Sequence, residues 1–118
     1  MEYYLRIYPD RLVLRNVKNG VSAEAFPESP YVHARCFLGN ISQAEAAAAR
    51  ALAQVRPRFS LGLDRTLVHP VFDLPGGLCE AEERLCRMLA YDLIPGPVSL
   101  WTGPELGDEQ VRERLSSS

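Results

Sequence analysis

The sequence predicts one small α/β domain, a three-stranded antiparallel meander followed by α-β-α-β-α. Three observations carry this reading. Two tight-turn signals, Pro9-Asp10 and Asn19-Gly20, divide residues 3–26 into three runs of extended character. Two stretches, 42–56 and 78–93, place their apolar residues at helical spacing. Residues 67–72 and 98–101 are short, apolar and extended in character, so a helix crosses between two strands in the manner of a βαβ unit and parallel pairing is expected. At 118 residues the chain is long enough for one core. The expected division is a single domain over 1–115 and a flexible tail over 116–118.

The meander allows its registers to be counted. If the second hairpin closes on Asn19-Gly20, Lys18 faces Val21, Arg15 faces Glu24 and Val13 faces Phe26. Across the first, Ile7 faces Leu12 and Leu5 faces Leu14. One face then collects Leu5, Ile7, Leu12, Leu14, Ala23 and Ala25. The other collects Tyr4, Arg6, Tyr8, Arg11, Val13, Arg15, Glu24 and Phe26. Rings mixed with guanidinium groups suit either a solvated face, with arginines stacked on tyrosines and paired with Glu24, or a protein-binding surface. Tyr4, Arg6, Tyr8, Arg11 and Arg15 are the candidate binding residues.

Pro27 ends the meander, and residues 31–38 alternate as a further strand would. Ser42 and Glu45 have capping-box spacing at the start of the first helix, which has seven alanines and ends before Pro57. Ile41, Leu52 and Val55 are its larger apolar groups. In 67–72, Pro70 cannot donate to a ladder and points to an edge or a bulge, and His69 reads as a satisfied sheet histidine. Pro75-Gly76-Gly77 turns the chain into the second helix. Its apolar stripe is Leu78, Ala81, Leu85, Met88, Leu89 and Leu93; Glu80, Glu82 and Glu83 complement its dipole, and Arg84 and Arg87 stand four residues after Glu80 and Glu83. Pro95-Gly96-Pro97 stops it. After Trp101, read as a core or boundary aromatic, Gly103-Pro104 turns the chain and Asp108 caps a short helix over 109–115.

Composition bounds the function. A net charge of −2 and a pI near 5.7 give no reason to expect nucleic acid. No membrane span or signal peptide is legible, and a cytoplasmic protein with reduced Cys36, Cys79 and Cys86 is expected. No metal site or cofactor is expected, because the histidines and cysteines lack ligand spacing. An alternative site is a crevice formed by His69, Gly76, Gly77, Cys79 and Glu82, in which the thiol at a helix start would be the reactive group of an enzyme or ligand-binding protein.

The element order is close to that of the ribonuclease H-like fold shared by actins, sugar kinases and chaperone ATPase domains. Residues 68–101 resemble subdomain IA of the bacterial actin family of MreB, in which a strand ends in Pro-x-Gly, a helix follows with Val-Glu-Arg-Arg, and a strand leads on. Pro75, Gly77, Glu82 and Arg84 match; Ala81 stands for the valine and Glu83 for the first arginine. From Leu-Arg-Ile-Tyr-Pro-Asp-Arg-Leu to Gly-Gly-Leu-Cys-Glu-Ala-Glu-Glu-Arg-Leu, the chain also resembles the small stress-induced protein family of YjaA. The first resemblance implies an actin-like subdomain that pairs with a protein partner or with itself and is linked to cell-shape machinery, and the second implies a link to stress. Actin-like ATPases hold phosphates on glycine-rich hairpins. The first hairpin here, Ile7-Tyr8-Pro9-Asp10-Arg11, has no glycine and loses a donor at Pro9. The resemblance therefore implies no ATP and no catalysis, with Glu82, the match to the family's water-orienting Glu, on a solvated helix turn.

Overall fold

A computed structural model describes residues 1–8, 11–26, 41–56, 63–71 and 80–117, with backbone alone at 41–43 and 117. The strands are β1 (Glu2–Ile7), β2 (Leu12–Asn16), β3 (Val21–Ala25), β4 (Arg65–Pro70) and β5 (Val98–Leu100). The helices are α1 (Ile41–Val55), α2 (Glu80–Leu93) and α3 (Asp108–Ser117). One mixed sheet has the order β3-β2-β1-β4-β5. β2 runs antiparallel to both neighbours, and β1, β4 and β5 run parallel. This is the expected meander followed by crossovers. The extended segment expected at 31–38 lies outside the described residues, as do Pro9-Asp10, Pro75, Gly76, Gly77, Cys36 and Cys79.

Strand alternation puts Leu5, Ile7, Leu12, Leu14, Ala23 and Ala25 on one face, and all six are buried beneath α1 and α2. From α1 come Ala44, Ala47, Ala48, Ala51, Leu52 and Val55, spaced as one helical stripe, and their small side chains bring the helix close to β2 and β3. α2 adds Cys86, Leu89 and Ala90 over β4 and β5. The other face of the sheet carries a smaller core, in which Tyr4, Val17 and Leu67 meet Val111 and Leu115 of α3. The layers are two helices, the sheet, and one helix.

Several local expectations are corrected. The β1–β2 register is as counted, with Ile7 opposite Leu12 and Leu5 opposite Leu14. In the second hairpin Val13 faces Glu24, Arg15 faces Ser22 and Asn16 faces Val21, because the turn spans four residues, 17–20. Asn16 decides this. Its Oδ1 accepts the Lys18 N–H, its backbone carbonyl accepts the Gly20 N–H, and its Nδ2 donates to Val55 O at the end of α1. Val17 is drawn into the smaller core, while Gly20 takes the left-handed φ of +76°. The slip is two residues, so every side chain keeps its face.

Pro70 sits where its missing donor is tolerated, at a local edge on the β5 side. It ends an interior strand, opposite Ile7 and beyond the Thr66–Val68 stretch that β5 pairs with. The buried side of α2 is rotated from the expected stripe: Glu82, Cys86, Leu89 and Ala90 face inward, and Ala81 and Met88 are exposed. Glu82, at 8% exposure, is not on a solvated turn. Glu80 pairs with Arg84 at 3.6 Å, whereas Arg87 reaches Val98 O at 3.5 Å. α3 begins one residue earlier than expected and runs through Ser117, into the segment expected as a tail. Gly107, not Asp108, takes the cap position: its carbonyl accepts the Val111 N–H, and its own N–H donates to Gln110 Oε1 as in a capping box.

Candidate functional site

The outer face of the meander is built in rows. Tyr4, Arg15 and Ser22 lie side by side across β1, β2 and β3, Arg6, Val13 and Glu24 form the next row, and the register continued by one step gives Tyr8, Arg11 and Phe26. The Tyr8 N–H donates to Arg11 O, which closes that last row between β1 and β2. The five predicted binding residues therefore do share a face, but the C-terminal segment treats them differently.

Tyr4 is 1% exposed. Its hydroxyl lies 2.6 Å from His69 Nδ1, and the Leu106 N–H donates to the same hydroxyl at 3.2 Å. His69 Nε2 lies 2.8 Å from Gly103 O. A carbonyl can only accept, so Nε2 carries the ring proton and Nδ1 accepts the Tyr4 O–H. Both nitrogens of His69 are thus satisfied in the neutral form. Burial pushes its pKa below the ordinary histidine value, with the Gly103 hydrogen bond acting the other way. The same burial pushes Tyr4 up.

Arg15 is held as firmly. Its Nε and Nη2 donate to the two carboxylate oxygens of Asp108 at 2.7 and 2.9 Å, and its Nη1 reaches Gly20 O and Ser22 Oγ. The hydrogen bond from Arg15 keeps the Asp108 carboxyl below the usual carboxylate range. A group lowered in this way favours the fold above about pH 4 and loses that contribution as pH falls further. Asp108→Asn is expected to remove that acid sensitivity and to cost at most about 1 kcal/mol near neutrality, since the pair is partly solvated. Urea unfolding at pH 7 and pH 3 checks both statements.

Of the remaining three, Arg6 is largely covered, with its side chain 16% exposed, and Tyr8 and Arg11 stand at the open corner. The Arg11 guanidinium lies 4.2 Å from the Tyr8 ring centroid, and Arg6 lies 5.8 Å from Tyr8 and 5.5 Å from Tyr4. Arg6 Nη1 donates to the Tyr8 hydroxyl and pairs with Glu105. Arg11 has Glu24 at 4.0 Å. Beside them Phe26, at the end of β3, the outermost strand among the described residues, is 55% exposed.

Of the alternative crevice, the two described residues, His69 and Glu82, are not brought together. His69 lies on the α3 side of the sheet with Tyr4, and Glu82 lies on α2, whose buried residues pack on the opposite face. Gly76, Gly77 and Cys79 are outside the described residues. Cys86 is buried in the main core, and burial followed by the charges of Glu82 and Glu83 pushes its thiol up to about 12. In a Cys36→Ser, Cys79→Ser protein, a neutral-pH thiol reagent is expected to leave Cys86 unlabelled until denaturant is added. Rapid labelling of the native form would contradict this.

Among the described residues, no three His, Cys, Asp or Glu side chains gather to hold a metal ion. None of the described helices is long and apolar enough to cross a membrane. Sequence reasoning missed the C-terminal segment's part in the site: Glu105 on Arg6, Asp108 on Arg15, and Gly103 and Leu106 on the His69–Tyr4 pair. The available signal was Val111 and Leu115, four residues apart on α3, with Trp101 ahead of them. Trp101 does pack against this smaller core, with its Nε1 on Pro104 O and the Arg114 guanidinium 3.5 Å from its ring. No family model matches the chain, and no curated protein or solved structure matches it either.

Proposed function

We propose that this chain is a non-catalytic protein-interaction module on an actin-like, ribonuclease H-like domain, and that it meets a protein partner through Tyr8, Arg11 and Phe26. The observation that carries the reading is the open corner itself. A large apolar ring stands 55% exposed at the end of β3 beside a stacked arginine and tyrosine, and these residue types dominate binding energy at protein interfaces. Tyr4, Arg6 and Arg15, buried or held by the C-terminal segment, position this corner rather than contact the partner. The fold part of the proposal is supported by the order β3-β2-β1-β4-β5 with only β2 reversed. A partner linked to cell shape or stress is what the resemblance to the MreB and YjaA families adds.

The test is capture from a bacterial lysate by the wild type and by a Tyr8→Ser, Arg11→Glu, Phe26→Ser variant whose fold is checked by circular dichroism. The reading expects a protein held by the wild type and reduced at least about tenfold by the variant. Equal capture by both forms would overturn it. Nucleotides with Mg²⁺ are expected to leave the melting temperature unchanged, and an upward shift would contradict the absence of nucleotide binding.

A further inference from the structure

On the side of the sheet away from the Tyr8 corner, α1 and α2 leave a groove of about 370 Å³. Glu45, Ala49, Leu52, Ala53 and Arg56 line it from α1 and its C-terminal end, and Leu89, Asp92 and Leu93 from α2. Met88, 44% exposed, stands one turn before Asp92 on α2. The apolar groove has a charge pattern of its own. Glu45 and Arg56 are 11 residues apart, about three helical turns, so they fall within about 20° of one another on the α1 surface. One stripe therefore begins with an acid, continues through alanine and leucine, and ends with a base.

We propose that the occupant of this groove is a second copy of the chain, with the two α1 helices antiparallel about a two-fold axis. In that arrangement Glu45 meets the partner's Arg56, and Arg56 meets the partner's Glu45, so the same favourable pair forms twice. Ala49 and Ala53 are small enough to let the helix backbones approach, and the half-buried Leu93 supplies apolar contact. A parallel arrangement would set like charges together at both ends. The dimer leaves both Tyr8 corners free, so it goes beyond the binding reading and does not depend on it.

Sedimentation equilibrium from micromolar to millimolar protein tests the proposal. The wild type should dimerise. Glu45→Arg and Arg56→Glu should each weaken the dimer at least about tenfold, because each places two like-charged contacts in the interface. The double exchange Glu45→Arg, Arg56→Glu should restore it. Circular dichroism of each variant separates lost association from lost folding, and Glu45→Arg, a change at an exposed position of α1, is the decisive single variant. A wild type that stays monomeric throughout, or a dimer indifferent to Glu45→Arg, overturns the proposal.

Discussion

Replacing Tyr4 with alanine is expected to lower the free energy of unfolding by about 3–5 kcal/mol, and replacing it with phenylalanine by about 1–3 kcal/mol. The first change removes a ring that is 1% exposed and packed with Val17, Leu67, Val111 and Leu115, so it opens a cavity between the sheet and α3. The second keeps the ring and removes only the hydroxyl. That hydroxyl donates to His69 Nδ1 and accepts from the Leu106 N–H, so Tyr4→Phe leaves an acceptor and a donor unpaired in the interior. The network also sets a pH dependence. The native His69 pKa lies below the ordinary value, so the unfolded chain binds the proton more readily. This contribution is complete above about pH 6.5 and declines as pH falls from there toward the lowered native value. Arg6 and Glu105 both face this ring, the cation lowering its pKa and the carboxylate raising it. His69→Gln should remove the decline. Urea unfolding of the three variants at pH 7.5 and pH 5.5 checks all of this; a Tyr4→Phe protein as stable as wild type would contradict the network.

Gly96→Ala is expected to cost about 3 kcal/mol, on backbone grounds alone. Gly96 follows α2 with a φ of +146°, a conformation that residues with a Cβ rarely adopt. A Cβ built there would also sit well inside van der Waals contact of the Asp64 backbone carbonyl. The chain has no room to move away, because Pro97 O immediately accepts the Thr66 N–H and starts the β4–β5 pairing. The measurement is the unfolding free energy of Gly96→Ala against Gly107→Ala. A Cβ at Gly107 has only Gln110 Oε1 nearby, at 3.8 Å, and that substitution is expected to cost much less. Equal losses would contradict the close-approach argument.

These two sites show why parts of the molecule could be read from sequence and parts could not. The inner face was legible because strand side chains alternate with period two: Leu5, Ile7, Leu12, Leu14, Ala23 and Ala25 kept their face even though the second hairpin slipped by two residues. The turn itself was misread because Asn19-Gly20 is a strong local signal, whereas the bonds from Asn16 to Val55 and to the turn are tertiary or side-chain effects. The small-sided stripe of α1 was plain, since its alanines are placed at helical spacing. The α2 seam was misplaced because counting apolar residues excludes a carboxylate, and the seam starts at Glu82.

The candidate site was half legible for a related reason. Composition marked the arginine and tyrosine face, and alternation put its members together. Nothing local says that Glu105, Leu106 and Asp108 return across about 100 residues to Arg6, Tyr4 and Arg15. That return divides the face into a buried half that holds α3 and an open half at Tyr8, Arg11 and Phe26.

The most direct test of the open half is photo-crosslinking in a bacterial lysate, with a photoreactive phenylalanine analogue at position 26 and, as a control, at Tyr91, an exposed residue of α2. The account predicts that position 26 gives a discrete crosslinked protein and that Arg11→Glu reduces it, with no such product from position 91. No crosslink from 26, or the same product from both positions, would contradict the claim that this corner is the contact surface.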